Sequence, residues 1–453
     1  MKKYSSLILF IITVSFASSA QTLEKYVQEG LVQNIGIQNE ALYIQLEDSK
    51  LLGIKGNSYP KIYLDASYIL SGGGRAIEFP VGDLLNPINS SLNNLKNSNE
   101  HPTNLENFED NFTPHNFHDT RLKLGYPVFN RTNYYQYKAQ QHVISLQEAK
   151  KLVNECELKK NIKITYYTYF KIKSITKILE NKKSYLQEAL EFNKKLVKYD
   201  EATEDVLSNI IYEIESNKSK QIDIKQQQTD AQVYFNKLLN RDLNQSIKED
   251  SLLPAIIQTE LNRKESNISE LKEKALQDRP ELKESHYGEK INEMLIEMNR
   301  KSLSPTLNLE LTAGFQGTGY TFNKDQAIST IGFRFNWLLY DGKVRKRKLE
   351  QAQIKTVEIM NNEKQLIQEI SLQVINNYNK LLAIKQKINS EQAALKNAQD
   401  RFFLIQKRYQ NHQVLLIEYL DAQTKLTNAQ ISVSIAKYDL LIQLAKLERA
   451  INL

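Results

Sequence analysis

The segment Thr330-Ile331-Gly332-Phe333-Arg334-Phe335-Asn336-Trp337-Leu338-Leu339-Tyr340 decides how this chain is to be read. Ile331, Phe333, Phe335, Trp337 and Leu339 alternate with Thr330, Arg334 and Asn336, a period of two that puts the apolar set on one face of a strand. Three further segments share the pattern. Ile62, Leu64, Ala66, Tyr68 and Leu70 mark 61–70; Leu122, Leu124, Tyr126 and Val128 mark 120–129; Leu307, Leu309, Leu311, Ala313 and Phe315 mark 306–315. Each is about ten residues long, the length with which a tilted strand crosses a bilayer. The opposite faces carry Asp65, Arg121, Lys123, Glu310 and Arg334, as expected where one side meets lipid and the other a wet lumen. Tyr68, Tyr126, Trp337 and Tyr340 sit near strand ends, where aromatic rings favour the membrane interface. A soluble sheet packed on helices would alternate too, so the period alone leaves both readings open.

Working outward, every glycine and proline falls within Gly30–Pro127 or Pro254–Gly342, so 128–253 and 343–453 contain neither. Runs of good helix formers this long exceed any ordinary globular helix. Each reads as two helices folded back on each other, with polar breaks near Asp200–Glu204 and Asn411–Gln413. The longer arms, Asn130–Lys198 and Gly342–Gln410, extend ~100 Å at ~1.5 Å per residue. Ala422, Leu426, Ala429, Val433, Ala436, Leu440, Leu444 and Leu447 recur every three or four residues, a seam for another helix.

The halves repeat. Residues 21–253 and 254–453 each read helix, strand, loop, strand, long helix, returning helix, with hairpins at 130–240 and 342–450. Tyr59-Pro60-Lys61 and Ser304-Pro305-Thr306 both end a helix and open a strand, and the connecting loops are 71–119 and 316–328. Open sheet edges are not tolerated in hydrocarbon, and four strands are too few to close. Two chains give eight strands with a filled interior; three give twelve and leave an aqueous lumen.

Composition removes other classes. A mean hydropathy of −0.50 over 453 residues excludes a bundle of apolar membrane helices. Met1-Lys2-Lys3, the apolar run Leu7–Phe16 and Ser18-Ser19-Ala20 read as a secretory signal peptide, 1–20. Cys156 is the lone cysteine, which rules out an internal disulfide framework and reads as a small packing residue. The net charge of +7, spread over the whole length, is weak evidence for nucleic acid. No serine–histidine–acid arrangement stands out, and Gly72-Gly73-Gly74 lacks the lysine and helix of a phosphate loop, so no enzyme and no cofactor are expected. His101, His115 and His118 with Glu109, Asp110 and Asp119 could meet at a metal, but scattered histidines in a loop are usually polar filler. Tyr166, Tyr167, Tyr169 and Phe170 read as helix packing. The basic run Lys343–Lys348 opens a long helix, against the helix dipole, which suggests either contact with anionic headgroups or mere solvation.

Arg408-Tyr409, then Glu418-Tyr419-Leu420-Asp421-Ala422-Gln423, Leu426, Ala429, Ala436, Tyr438, Leu440, Leu447 and Glu448 resemble the TolC-like outer-membrane efflux protein family. Arg279-Pro280-Glu281-Leu282, Phe235-Asn236-Lys237-Leu238-Leu239-Asn240 and the two proline-led strand entries support it, and the resemblance covers essentially the whole mature chain. It implies an α+β membrane protein: a homotrimer with a twelve-stranded outer-membrane β-barrel, four strands per chain, continued by a periplasmic coiled-coil barrel. It also implies a periplasmic adaptor and an inner-membrane pump as partners. By the same resemblance Glu418 and Asp421 fall where an acidic ring narrows the periplasmic mouth, Tyr409 where a gate tyrosine sits, and Asp205 where its carboxylate partner sits. Spacing three apart puts Glu418 and Asp421 on one helix face, although acids also suit an ordinary helix start. His412 stands where the family turns on glycine, so it needs a left-handed backbone or another route; Val414 replaces the expected basic residue; and the first turn, 199–206, is shorter than usual. A periplasmic adaptor is the alternative function, and a cell-surface coiled coil a third.

Overall fold

The computed structural model describes residues 22–111 and 115–452; the expected signal peptide lies outside them. In chain order the elements are α1 (Thr22–Gln33), α2 (Ile35–Gly56), β1 (Lys61–Ile69), β2 (Ala76–Phe79), α3 (Val81–Lys96), β3 (Phe108–Asn111) and β4 (Phe117–Phe129). There follow α4 (Arg131–Lys198), α5 (Glu204–Leu238), α6 (Leu253–Asn262), α7 (Ile268–Asp278), α8 (Pro280–Lys301), β5 (Thr306–Thr318), β6 (Ala327–Asn336), α9 (Val344–Gln410) and α10 (Leu416–Ala450). The protein is mostly helical with a small sheet. It divides into two compact units, each drawing on both halves of the chain: one comprises residues up to Asp48, His142–Ile291 and Lys355 onward, the other Ser49–Gln141 and Asn292–Ile354.

The smaller unit holds a four-stranded antiparallel sheet in the order β1-β4-β5-β6. Its register keeps the two faces distinct. Ile62, Leu64, Leu122 and Ile331 share the apolar face, and they are 70 %, 72 %, 56 % and 78 % exposed in the single chain. The other face carries Asp65 paired with Lys123, Arg121 paired with Asp119, and Glu310 paired with Arg334 at 2.8 Å. All five charges expected on the polar face are there, and each has a partner across or along a strand. Gly314 lets β5 pass close to β4, since a Cβ would lie 2.1 Å from the Thr120 carbonyl oxygen. Pro127 lacks an N–H for the ladder, and β4 bulges between it and Phe129.

Two expectations are corrected. The period-two segment 330–340 is a strand only as far as Asn336, because Asn336 pairs with Thr306, the first residue of β5, and nothing remains opposite Trp337–Tyr340. The Trp337 indole N–H donates instead to the Leu303 carbonyl at 3.0 Å. The connection 71–119 is no plain loop either. It contains the β2–β3 hairpin and α3, and its last residues are the start of β4. An asparagine ladder holds α3 to the returning chain. Asn86 donates to and accepts from the Leu105 backbone, both at 2.8 Å, and Asn93 does the same with His101 at 2.7 and 3.0 Å. Asn89 donates to the Pro102 carbonyl at 2.7 Å.

The larger unit is built on three apolar clusters between helices. Leu23, Val27, Ile162, Tyr166, Phe170 and Phe235 lie in the first, Ala275, Ile370, Val374, Ile388 and Leu440 in the second, and the third surrounds the helix turns. The aromatic run 166–170 packs as expected: Tyr166 is fully buried, accepting from the Asp250 N–H at 2.7 Å and donating to the Lys248 carbonyl at 3.1 Å. Of the α10 seam, Ala422, Leu426, Val433, Ala436, Leu440 and Leu447 are buried, whereas Ala429 and Leu444 are half-buried. Cys156 is half-buried, its thiol donating to Asn452 Oδ1 at 3.2 Å, and burial pushes its pKa up.

An ion network closes the end of α10. Arg279, 5 % exposed, grips Glu281 through both carboxylate oxygens (2.9 and 2.8 Å) and donates to the Ala450 carbonyl at 3.1 Å. Glu281 also accepts from Arg449 at 2.5 Å, and Arg449 meets Glu157 at 3.3 Å. Burial alone would raise the Glu281 pKa, but the hydrogen bonds from Arg279 and Arg449 outweigh it and hold the carboxyl below its ordinary value of 4.5. A depressed carboxylate contributes stability above its unfolded pKa and loses it as pH falls through the folded value. Glu281→Gln is therefore expected to cost about 3 kcal/mol at neutral pH. It should also flatten the loss of helical circular-dichroism stability that the parent shows below pH ~4.5.

Candidate gate at the helix turns

The turn α4–α5 spans residues 199–203 and the turn α9–α10 spans 411–415. Both are closed by the same backbone device. In the first, Asp200 N–H donates to Val197 at 3.1 Å and Glu201 N–H to Leu196 at 2.9 Å; in the second, His412 N–H donates to Tyr409 at 3.0 Å and Gln413 N–H to Arg408 at 2.9 Å. These pairs are the Schellman motif, whose reversal needs a left-handed residue and usually takes glycine. Here Asp200 (φ 57°) and His412 (φ 60°) adopt that conformation. The missing turn glycine is thus met by a left-handed histidine, and the helix ends as it would on glycine.

Behind the turns the ends of all four helices pack together. Ala189, Ile210, Phe402, Ile405, Tyr409, Tyr419, Ala422 and Leu426 form the buried cluster. Tyr409 stacks on Tyr419 with centroids 4.9 Å apart, and Phe192 packs edge-on to Tyr409 at 5.6 Å and beside His412 at 5.9 Å. Val414, in place of a basic residue, packs against this cluster.

The four expected gate residues separate into different environments. Tyr409 is buried, and its hydroxyl donates to Asn193 Oδ1 at 2.7 Å, not to Asp205. Asp205 is exposed at the first turn of α5 and accepts from the Thr203 hydroxyl. Asp421 is bracketed by Arg401 at 3.1 Å and Lys425 at 2.9 Å, one a helix away and one a turn along. Glu418 is exposed and has no ion-pair partner among the described residues. Of the two acids on α10, Glu418 is thus the one without an ion-pair partner among the described residues. Burial pushes the Tyr409 hydroxyl pKa up, against the lowering effect of its bond to Asn193, and burial raises that of Tyr419 as well, so both rings stay neutral.

Sequence reasoning missed Asn193. It is 1 % exposed, donates to the Ala189 carbonyl at 2.7 Å and accepts from Tyr409, fastening α4 to α9. Its signal was a lone amide at helical spacing from the buried Leu186 and Ala189. It also missed Lys182, whose side chain is 7 % exposed and whose ammonium bridges Glu213 at 3.1 Å. A groove of about 510 Å³ beside the second turn is lined by Val206, Asn209, Tyr212, Leu415, Ile417 and Leu420, of which Tyr212, Leu415 and Ile417 are 72 %, 69 % and 72 % exposed.

The histidines considered for a metal do not converge. His118 is buried between Tyr320 and Phe322 with Nε2 2.9 Å from Gln326 Oε1, the His101 backbone is held by Asn93, and His115 faces the Ser71 carbonyl. Among the described residues no group of three or more His, Cys, Asp or Glu is placed to hold a metal ion.

Residues 271–453 match the family described as "Outer membrane efflux protein". A curated relative, the outer membrane protein TolC of Salmonella enteritidis, is 26 % identical over 157 residues, and the match spans 33 % of this chain and 32 % of the relative. Solved channels share the fold along nearly all of the chain. The Campylobacter jejuni CmeC outer membrane channel superposes with a TM-score of 0.75 at 16 % identity, covering 95 % of this chain and 85 % of that one. The outer membrane protein VceC of Vibrio cholerae gives 0.73 at 14 %, covering 95 % of each, and the open-state MtrE channel of Neisseria gonorrhoeae gives 0.73 at 13 %, covering 95 % and 88 %.

Two outcomes test the turn. Asp200→Gly removes a strained left-handed aspartate and a negative charge from a helix C-terminus, and should raise the melting midpoint of the helical signal by the equivalent of about 1 kcal/mol. Tyr409→Phe leaves the buried Asn193 oxygen unsatisfied, and should cost about 1–2 kcal/mol in the same measurement.

Proposed function

We propose that this chain, whose residues 271–453 belong to the outer membrane efflux protein family, is the outer-membrane exit duct of a tripartite efflux or type I secretion system. Substrates would reach it from an inner-membrane transporter, of resistance-nodulation-division, ABC or major-facilitator type, through a periplasmic adaptor, and pass outward passively. The observation that carries the reading is the four-stranded sheet: one greasy exposed face, one face of paired charges, and two edge strands, β1 and β6, each with an unpaired side. Such a sheet is viable in hydrocarbon only if further copies close it. Three copies give twelve strands and an aqueous lumen, so the assembly proposed is a homotrimer in the outer membrane, continued into the periplasm by a barrel of the paired long helices. The two chain halves supply equivalent strand pairs and hairpins, which supports an internal repeat. The adaptor alternative is not supported, since the family match and the shared fold both fall on outer-membrane channels.

In this reading the helix turns form the periplasmic gate. Three copies of Glu418 supply the free negative charge of the mouth, while Asp421, Arg401 and Lys425 form a neutralising bracket behind each. Tyr409 latches α9 to α4 through Asn193, and Asp205 stands at the neighbouring turn, its role in the latch resting on the family resemblance. The exposed apolar groove by Leu415 and Ile417 gives an adaptor a surface to grip.

Purified protein in planar bilayers is expected to give small, cation-selective currents from a heat-resistant trimer. Glu418→Gln should lower cation selectivity and weaken block by multivalent cations. Asp421→Asn should do less, because its charge is already offset. If selectivity and block are unchanged in both variants the acidic-ring assignment is wrong, and a chain recovered as a detergent-free monomer would remove the duct reading itself.

A further inference from the structure

In the smaller unit the register puts every helix–strand junction at one end of the sheet. Lys61 opens β1 opposite Gly125 near the end of β4, Phe129 closes β4 beside Leu307, and Thr306 opens β5 opposite Asn336. The charge at that end is strongly one-sided. Lys343, Arg345, Lys346, Arg347 and Lys348 follow Asp341, and Arg131 begins α4 where Arg300 and Lys301 end α8. Arg345 Nη1 donates to the Arg300 carbonyl at 3.5 Å, which brings the start of α9 against the end of α8.

Some of these cations are neutralised locally. Arg300 pairs with Glu297 at 2.6 Å and Arg347 with Glu350 at 2.7 Å. Arg131, Lys301, Lys343, Lys346 and Lys348 have no acidic partner among the described residues. Arg131, Lys346 and Lys348 stand in the first turns of their helices, against the macrodipole; the one carboxylate at the start of α9, Asp341, is taken up by capping the Lys343 and Arg345 N–H groups. The opposite end of the unit has the reverse charge, with six carboxylates against one lysine over 76–111.

Two further features point to what the cations meet. Trp337, Leu339 and Tyr340 stand 55 %, 73 % and 73 % exposed just before the basic run, and the Trp337 ring is fixed by its bond to Leu303. Exposed aromatic rings beside lysines mark the depth of lipid headgroups. A recess of about 450 Å³ also lies between the start of α4 and the end of α8, lined by Phe129, Asn130, Arg131, Tyr134, Tyr135 and Lys301. It combines a guanidinium lying 5.7 Å over the Phe129 ring, an ammonium and two tyrosines, in a volume suited to a phosphodiester headgroup.

We propose that these junctions form a docking collar for anionic phospholipids of the leaflet facing the periplasm, with one headgroup phosphate seated in the Arg131–Lys301 recess and others gathered by Lys343, Lys346 and Lys348. The proposal rests on the outer-membrane reading, which sets that end of the strands toward the periplasm. The site is a lipid surface of defined charge and is separate from the conducting path.

The test reconstitutes the full chain in nanodiscs of equal phosphatidylglycerol and phosphatidylethanolamine, re-extracts it gently and measures the lipids retained. The parent should hold phosphatidylglycerol with about tenfold preference. That preference should fall as salt rises from 0.1 to 1 M, which shortens screening from about 10 to about 3 Å. Lys343→Gln with Lys346→Gln and Lys348→Gln should bring the ratio near parity, and Arg131→Gln should release the last tightly held lipid. The triple Lys→Arg variant, which keeps charge while changing shape, should retain the preference. Retention in the ratio supplied, or equal enrichment in the parent and the triple glutamine variant, overturns the collar. Failure of the chain to float with vesicles at all would instead overturn the membrane reading on which the collar rests.

Discussion

A strand edge in hydrocarbon has nowhere to place its N–H and C=O groups, and in the proposed membrane setting that constraint governs this molecule. β1 and β6 are both edges, and the pattern of side chains on either face makes them unfit for water: Ile62, Leu64 and Ile331 stand open on one side while Asp65, Glu310 and Arg334 are engaged on the other. In this chain the greasy face is left open rather than buried. In the proposed duct the sheet is a fragment of a wall, and the free energy of completing it lies in contacts between copies.

The helices obey a second economy. Long antiparallel helices need sharp reversals, and two residues without glycine's freedom, Asp200 and His412, provide them. Buried aromatic packing around Tyr409 and Tyr419 and the Asn193 amide hold these turns from behind. Strain at the tip is thus countered by packing one helical turn away. In the proposed gate, a turn that is held rather than relaxed suits helices that separate and return.

Much of the architecture was legible because two periods dominate the chain. Alternation located β1, β4 and β5, and the absence of glycine and proline located the long helices within a few residues of their ends. What could not be read follows from interactions that leave no period. The 76–111 lobe is organised by asparagines bonding to backbone, and asparagine in a loop looks the same whether it is solvated or load-carrying. Trp337–Tyr340 alternates as well as any strand, but its partner strand has run out. Asn193 looked like an ordinary polar residue until Tyr409 was placed against it, and Asp421 looked free until Arg401 came across from α9. The acidic pair was visible as a motif; which acid is ion-paired was a matter of tertiary neighbours.

The ladder on α3 carries a consequence for how this surface can change over time. Asn86, Asn89 and Asn93 grasp main-chain atoms of Leu105, Pro102 and His101, and they read nothing of the side chains there. Amino acids along the grasped segment are then free to be replaced while the lobe keeps its contour. Such a face can alter its chemistry residue by residue behind an unchanging clasp.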